Sequence, residues 1–181
     1  MEEKTVVRVM IKYFESKGLK AIRQKGAGVD LHIYGKTEKV EVKGSGLKFD
    51  RMLRQLLDYA YKHTNVSLAL PFDGLTIKEA HQLRILNYLL IDAKRKGLKV
   101  YVIAPHPKRM NNFCVRELRD ITEIYYAMGS PTMVKLGYNL NDPDSTIDKA
   151  VDNLIKYSPE DCLKDYVCQE FLKREVTTVE I

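Results

Sequence analysis

An α/β fold with a mixed central sheet is what this sequence predicts. Three observations predict it. Apolar residues recur at helical spacing over residues 5–17, two short apolar alternations follow over 29–43, and short apolar runs then alternate with longer helical patterns. The resulting order is helix, three strands, helix, strand, helix, strand. At 181 residues the chain can bury one sizeable core, with a small appendage at most.

Each element has its own signal. Val6, Val7, Val9, Met10, Tyr13 and Phe14 give an amphipathic helix over Thr5–Lys17, stopped at Gly18. Leu19–Lys25 fits a first strand, with Gly26-Ala27-Gly28 as the turn into the second. Residues 35–39 suit a tight connection to the third strand. Gly44-Ser45-Gly46 breaks that strand and admits a helix from about Leu47 to His63, with Leu53, Leu56, Leu57, Ala60 and Tyr61 on its apolar face. Val66–Leu70 is a continuous apolar run closed by Pro71, the pattern of a buried strand. Thr76 and Glu79 form a capping-box sequence opening a helix to about Lys96, and Gly97 stops it. Lys99–Ala104 is the next strand, ended by Pro105.

Strand interiors rarely carry ionisable groups, yet this chain places three there. Side chains alternate faces along a strand. Val29, Leu31 and Ile33 share one face, and Asp30, His32 and Tyr34 the other. Val40 and Val42 oppose Glu41 and Lys43. If the apolar faces pack on one core, Asp30, Glu41 and Lys43 emerge together. Two carboxylates then suit Mg²⁺, a hard cation that prefers oxygen and keeps several waters. The ammonium suits the charge that grows on a phosphate under attack. A solvated hairpin with a cross-strand Glu–Lys pair, worth little energetically, is the other reading of the same spacing.

Asp30, ten intervening residues, then Glu41-x-Lys43 resembles the PD-(D/E)xK nuclease superfamily, which includes archaeal Holliday junction resolvases, type II restriction enzymes and RecB-type nucleases. Val29 stands where the family often has Pro. The resemblance implies a restriction-endonuclease-like αβββαβ core and Mg²⁺-dependent hydrolysis of DNA, with Mn²⁺ able to substitute. It implies that Asp30, Glu41 and the Val42 carbonyl hold the metal, and that Lys43 serves the water and the transition state. A family glutamate on the first helix approaches the metal, which matches Glu15; a plain surface glutamate is the alternative there. Gln55-x-x-x-Tyr59 is similar to the Gln/Tyr helix motif of the RecB-type branch, where Gln positions substrate or water and Tyr contributes to the pocket.

Charge distribution bears on partners. Residues 1–110 carry 22 Lys and Arg against 11 Asp and Glu, whereas 111–181 carry 8 against 13. Lys48, Arg51 and Arg54 cluster where a phosphate backbone would lie, although a charge-rich surface alone gives the same count. His32 shares the Asp30 face and reads either as a substrate contact or as a neighbour without a chemical role. Cys114, Cys162 and Cys168 form no CxxC pair, and an odd count without a signal sequence suggests reduced thiols. No apolar run approaches a membrane span and the charged start is not a signal peptide, so a cytoplasmic protein is expected.

Residues 1–107 are expected to form the nuclease core and 108–181 a mostly helical extension. The extension is read as a helix over Asn111–Met128, a loop over Lys135–Asp144, a helix over about 146–157 after Ser145, and a last helix opening at Ser158-Pro159 and running to about Lys173. Val176–Ile181 is a terminal strand or a frayed tail. This acidic part is expected to pack on the core, support a homodimer or contact a protein partner. Two rivals to a DNA nuclease stand: a non-catalytic DNA-binding or assembly module on the same fold, and a nuclease acting on RNA.

Overall fold

The computed structural model describes residues 1–24, 30–36, 38–46, 48–63, 65–72, 75–93, 97–118, 141, 147–158, 160–161 and 176–181. These residues form an α/β structure around one seven-stranded mixed sheet. The elements are α1 (Glu3–Ser16), β1 (Ala21–Arg23), β2 (Leu31–Ile33), β3 (Glu38–Val42), α2 (Phe49–Lys62), β4 (Val66–Pro71), α3 (Ile77–Asp92), β5 (Lys99–Pro105), β6 (Asn112–Leu118), α4 (Ile147–Tyr157) and β7 (Thr177–Glu180). None of the described helices is long and apolar enough to cross a membrane.

The strands lie in sequence order. β1, β2 and β3 run as an antiparallel meander, β3, β4 and β5 are parallel, and β6 and β7 return antiparallel. Parallel neighbours need a crossover, and α2 and α3 supply the two. Both pack on one sheet face, over Leu68, Leu70, Val100 and Val102. The opposite face carries α1, whose Val6, Val9, Met10 and Phe14 meet Leu31, Val40, Val42 and Ile103. With both faces covered, β4 is buried along its whole length, as its largely apolar sequence requires. The capping box of α3 is formed in both directions, Glu79 N–H to Thr76 Oγ1 at 3.2 Å and Thr76 N–H to Glu79 Oε2 at 2.8 Å.

Two expectations are corrected. Residues 112–118 form β6 rather than the start of a helix. Val115 packs in the α1-side core and Leu118 in the α2-side core, so their helix-like spacing is divided between two sheet faces. β5 is almost wholly buried, and β6 satisfies its outer backbone groups. The second correction is Glu38, expected in a connection. It opens β3 and is 4% exposed, accepting from Ser67 Oγ at 2.5 Å and Tyr101 Oη at 2.7 Å. Burial and the Glu38 charge push the Tyr101 phenol well up, so it remains a donor. Within Val176–Ile181, Thr177–Glu180 form a strand paired to β6. Residues 119–128, 135–140 and 162–173, with Cys162 and Cys168, lie outside the described residues.

Candidate active site

The Leu31↔Val40 register brings Asp30, just before β2, level with Glu41 on β3. Asp30 Oδ2 accepts from the Val42 amide at 2.7 Å, a charge-assisted bond that ties the aspartate to the Glu41 strand. Glu41 pairs with Leu68 of β4, which places its side chain on the α2 face among the core residues. It is 1% exposed. Oε1 accepts from Lys43 Nζ. Oε2 is buried and has no hydrogen-bond partner. The structure therefore brings together the Asp30, Glu41 and Lys43 side chains.

The electrostatics of Glu41 follow from that placement. Burial pushes its carboxyl up to about 6, the Lys43 hydrogen bond opposes the rise, and the Asp30 charge adds to it. An ionised carboxylate buried with one oxygen unsatisfied is costly. A proton or a cation would supply what Oε2 lacks. Among the described residues no three His, Cys, Asp or Glu side chains gather into a cation-binding group. Asp30 and Glu41 would be the carboxylate donors for a cation there, and Mg²⁺ would complete its shell with backbone oxygen and water, as it commonly does.

α2 supplies the wall opposite. It follows β3 through Gly44–Lys48 and runs back over the carboxylates. Gln55 and Arg51 line a cleft of about 380 Å³ with Lys43, Lys48 and Glu3. One turn on, the Tyr59 phenol is pushed up by burial and by the Glu41 and Asp30 charges, so it sits within their field. Arg54 lies round the helix, in a shallow depression with Asp50 and Asp58. His32 is half-buried, opposite Lys39 on the carboxylate face, and stacks on Tyr34.

Glu15 is not brought to this site. It occupies the last turn of α1, where its half-exposed carboxylate pairs with Lys12 at 3.0 Å. The acid that α1 does deliver is Glu3, which lines the cleft and whose charge acts on Glu41. Twelve residues separate the two, roughly 18 Å of helix. An acid in a first turn suits the helix dipole and one in the last turn does not, which is the sequence signal favouring Glu3. The spatial cause is Gly44. A Cβ there would meet the Glu3 backbone nitrogen at 2.6 Å and the Met1 carbonyl oxygen at 3.0 Å, and the adjoining Ser45 amide donates to Met1 O at 2.8 Å. Gly44→Ala is expected to displace the start of α1 and destabilise the protein by about 1–3 kcal/mol, as overpacking does. Urea unfolding checks it, and an unchanged midpoint would contradict the close approach.

Compared with known proteins, the chain matches no family model, no curated protein and no solved structure.

Proposed function

We propose that this protein is a metal-dependent nuclease that hydrolyses DNA phosphodiester bonds, on a restriction-endonuclease-like core formed by α1 to β5. The observation that carries the reading is the unpartnered, buried Oε2 of Glu41 beside Asp30, with Lys43 on the other oxygen. A purely structural Glu–Lys pair gains nothing from burying a carboxylate oxygen without a donor.

Asp30 and Glu41 would hold the cation, with the Val42 carbonyl as the backbone donor that the sequence resemblance implies. A divalent cation in that position supplies Lewis-acid activation of a phosphate and a water. The chain's own groups do the rest. Lys43 donates to Glu41 and lies at the cleft edge, where its ammonium can turn to the phosphate oxygens as they gain charge. Gln55 lines the same cleft, where its amide can orient a water or a phosphate oxygen. Lys48 and Arg51 supply cations for the flanking phosphates. Tyr59 remains a protonated phenol beside the carboxylates and can donate to substrate.

The test is cleavage of linear, flapped, four-way and single-stranded DNA, and of RNA, with Mg²⁺ or Mn²⁺. Lys43→Ala is expected to lower the rate by about 10²–10³-fold, the range for removing one transition-state donor, with DNA binding retained. Binding without any cleavage by the wild type would favour a non-catalytic module. Cleavage that survives Lys43→Ala and Glu41→Ala would remove the site assignment. Preferential cutting of RNA would replace the substrate.

A further inference from the structure

Polar side chains extend along the sheet on both sides of the carboxylates. Arg51, Gln55, Tyr59 and His63 recur every fourth residue along α2 and its C-cap, a row that winds about 40° round the axis at each step. Lys43, Glu41 and Lys39 alternate onto one face of β3, and Asp30 and His32 belong to the same face. Because α2 returns over β3, the two rows match in order. Gln55 shares a cleft with Lys43. Tyr59 feels Glu41 and Asp30. His63 lies nearest the far end, where burial and the charges of Lys39, Lys62 and His32 hold its imidazole below the ordinary value.

That far end is built from rings and one strand cation. His32 stacks on Tyr34 with centroids 4.7 Å apart and planes at 23°. Tyr34 is 47% exposed, so its outer surface faces solvent. Lys39 is the cross-strand partner of His32. Lys39 and Lys43 are four strand residues apart, roughly 13 Å, with Glu41 midway. A polyanionic strand laid along β3 would meet a cation on each side of the carboxylates.

We propose that Tyr34, His32 and Lys39 form a subsite for an unpaired nucleotide of the strand that crosses the carboxylates, its base stacked on Tyr34 and its phosphate held by Lys39. The inference rests on the nuclease reading for the identity of that strand. A stacked aromatic pair beside a cation is the arrangement that binds single strands without sequence preference, because every base has a π face. In a duplex those faces are already stacked on neighbouring bases. The subsite therefore selects single-stranded or splayed DNA over continuous duplex.

The test uses the whole chain in the absence of divalent metal, so that binding is read without cleavage. Fluorescence anisotropy is measured with a labelled single-stranded oligonucleotide and with a duplex of the same length. Tyr34→Ala is expected to weaken single-strand binding roughly 5- to 150-fold, the range of one lost base stack. Duplex binding should change less than about twofold, and Tyr34→Phe should keep wild-type affinity because the ring is retained. Lys39→Ala should weaken single-strand binding and flatten its salt dependence. Far-UV circular dichroism of each variant verifies folding. An unchanged single-strand affinity in Tyr34→Ala, or equal losses on single strand and duplex, would overturn the subsite. The two readings fail separately. Tyr34-dependent single-strand binding with no Mg²⁺-dependent cleavage would leave the subsite and remove the nuclease. Lys43-dependent cleavage with indifference to Tyr34 would do the reverse.

Discussion

Glu41→Gln is expected to abolish cleavage and to make the metal-free protein more stable at pH 8. The two effects have one cause. Folding buries the Glu41 carboxyl beside Asp30, and its proton affinity rises from an ordinary value of 4.5 to about 6. A group whose folded value is raised contributes stability that is full below pH 4.5 and is lost as pH rises through about 6. Above that, ionised Glu41 costs about 2 kcal/mol relative to a neutral side chain. Gln keeps an oxygen for Lys43 and removes the charge. At pH 8 its melting temperature should exceed the wild type's by about 4–8 °C, given roughly 2–4 °C per kcal/mol for a chain of this size. Below pH 4.5 the difference should close. Thermal melts of both proteins from pH 4 to 8 measure it directly. A variant less stable at pH 8 would mean that burial is not what raises the Glu41 carboxyl. Retained cleavage would mean that Glu41 holds no metal.

Mg²⁺ is expected to stabilise the wild type at pH 8 and to do so about half as strongly at pH 5. A cation and a proton compete for the same Glu41 carboxyl, so affinity falls as pH drops through about 6, by up to tenfold for each further unit. Binding to the folded chain alone stabilises it by about 2.7 kcal/mol when free Mg²⁺ is 100 times its dissociation constant. The corresponding rise in melting temperature should be clear at pH 8, about half as large at pH 5, and absent at both in Glu41→Gln. Differential scanning calorimetry with Mg²⁺ or EDTA reads it without any substrate. A shift equal at both pH values would place the cation away from Glu41. This dependence has the opposite sign to the metal-free one: without metal the ionised carboxylate weakens the fold, and with metal it is the form that strengthens it.

The elements most legible in the sequence are those whose pattern is local. The α1 stripe from Val6 to Phe14, the Thr76–Glu79 capping box and the largely apolar run of β4 each state their own conformation within a few turns of chain. β6 does not. Val115 and Leu118 fit a helical face as well as they fit opposite faces of a strand, and only the exposed edge of β5, far from them in energy terms until it is built, selects the strand. Glu38 differs for a related reason. The turn residues beside it suit a connection, whereas its burial depends on Ser67 and Tyr101, which reach it through two crossovers.

The candidate site divides in the same way. That Glu41 and Lys43 share a strand face follows from a period of two residues, and the antiparallel register of β2 on β3 adds Asp30 to them. Gln55 and Tyr59 lie over them because four residues make about one turn and α2 has to run back across β3 to begin a parallel strand. The depth of Glu41, its orphaned oxygen and the choice of Glu3 over Glu15 follow from none of those periods. They come from the thickness of the layers above and below the sheet, and from a backbone contact at Gly44 that exists once α1 has docked. Periodicity sets which way a side chain points along its own element; how far it is removed from water, and which end of a distant helix meets it, are properties of the packed layers.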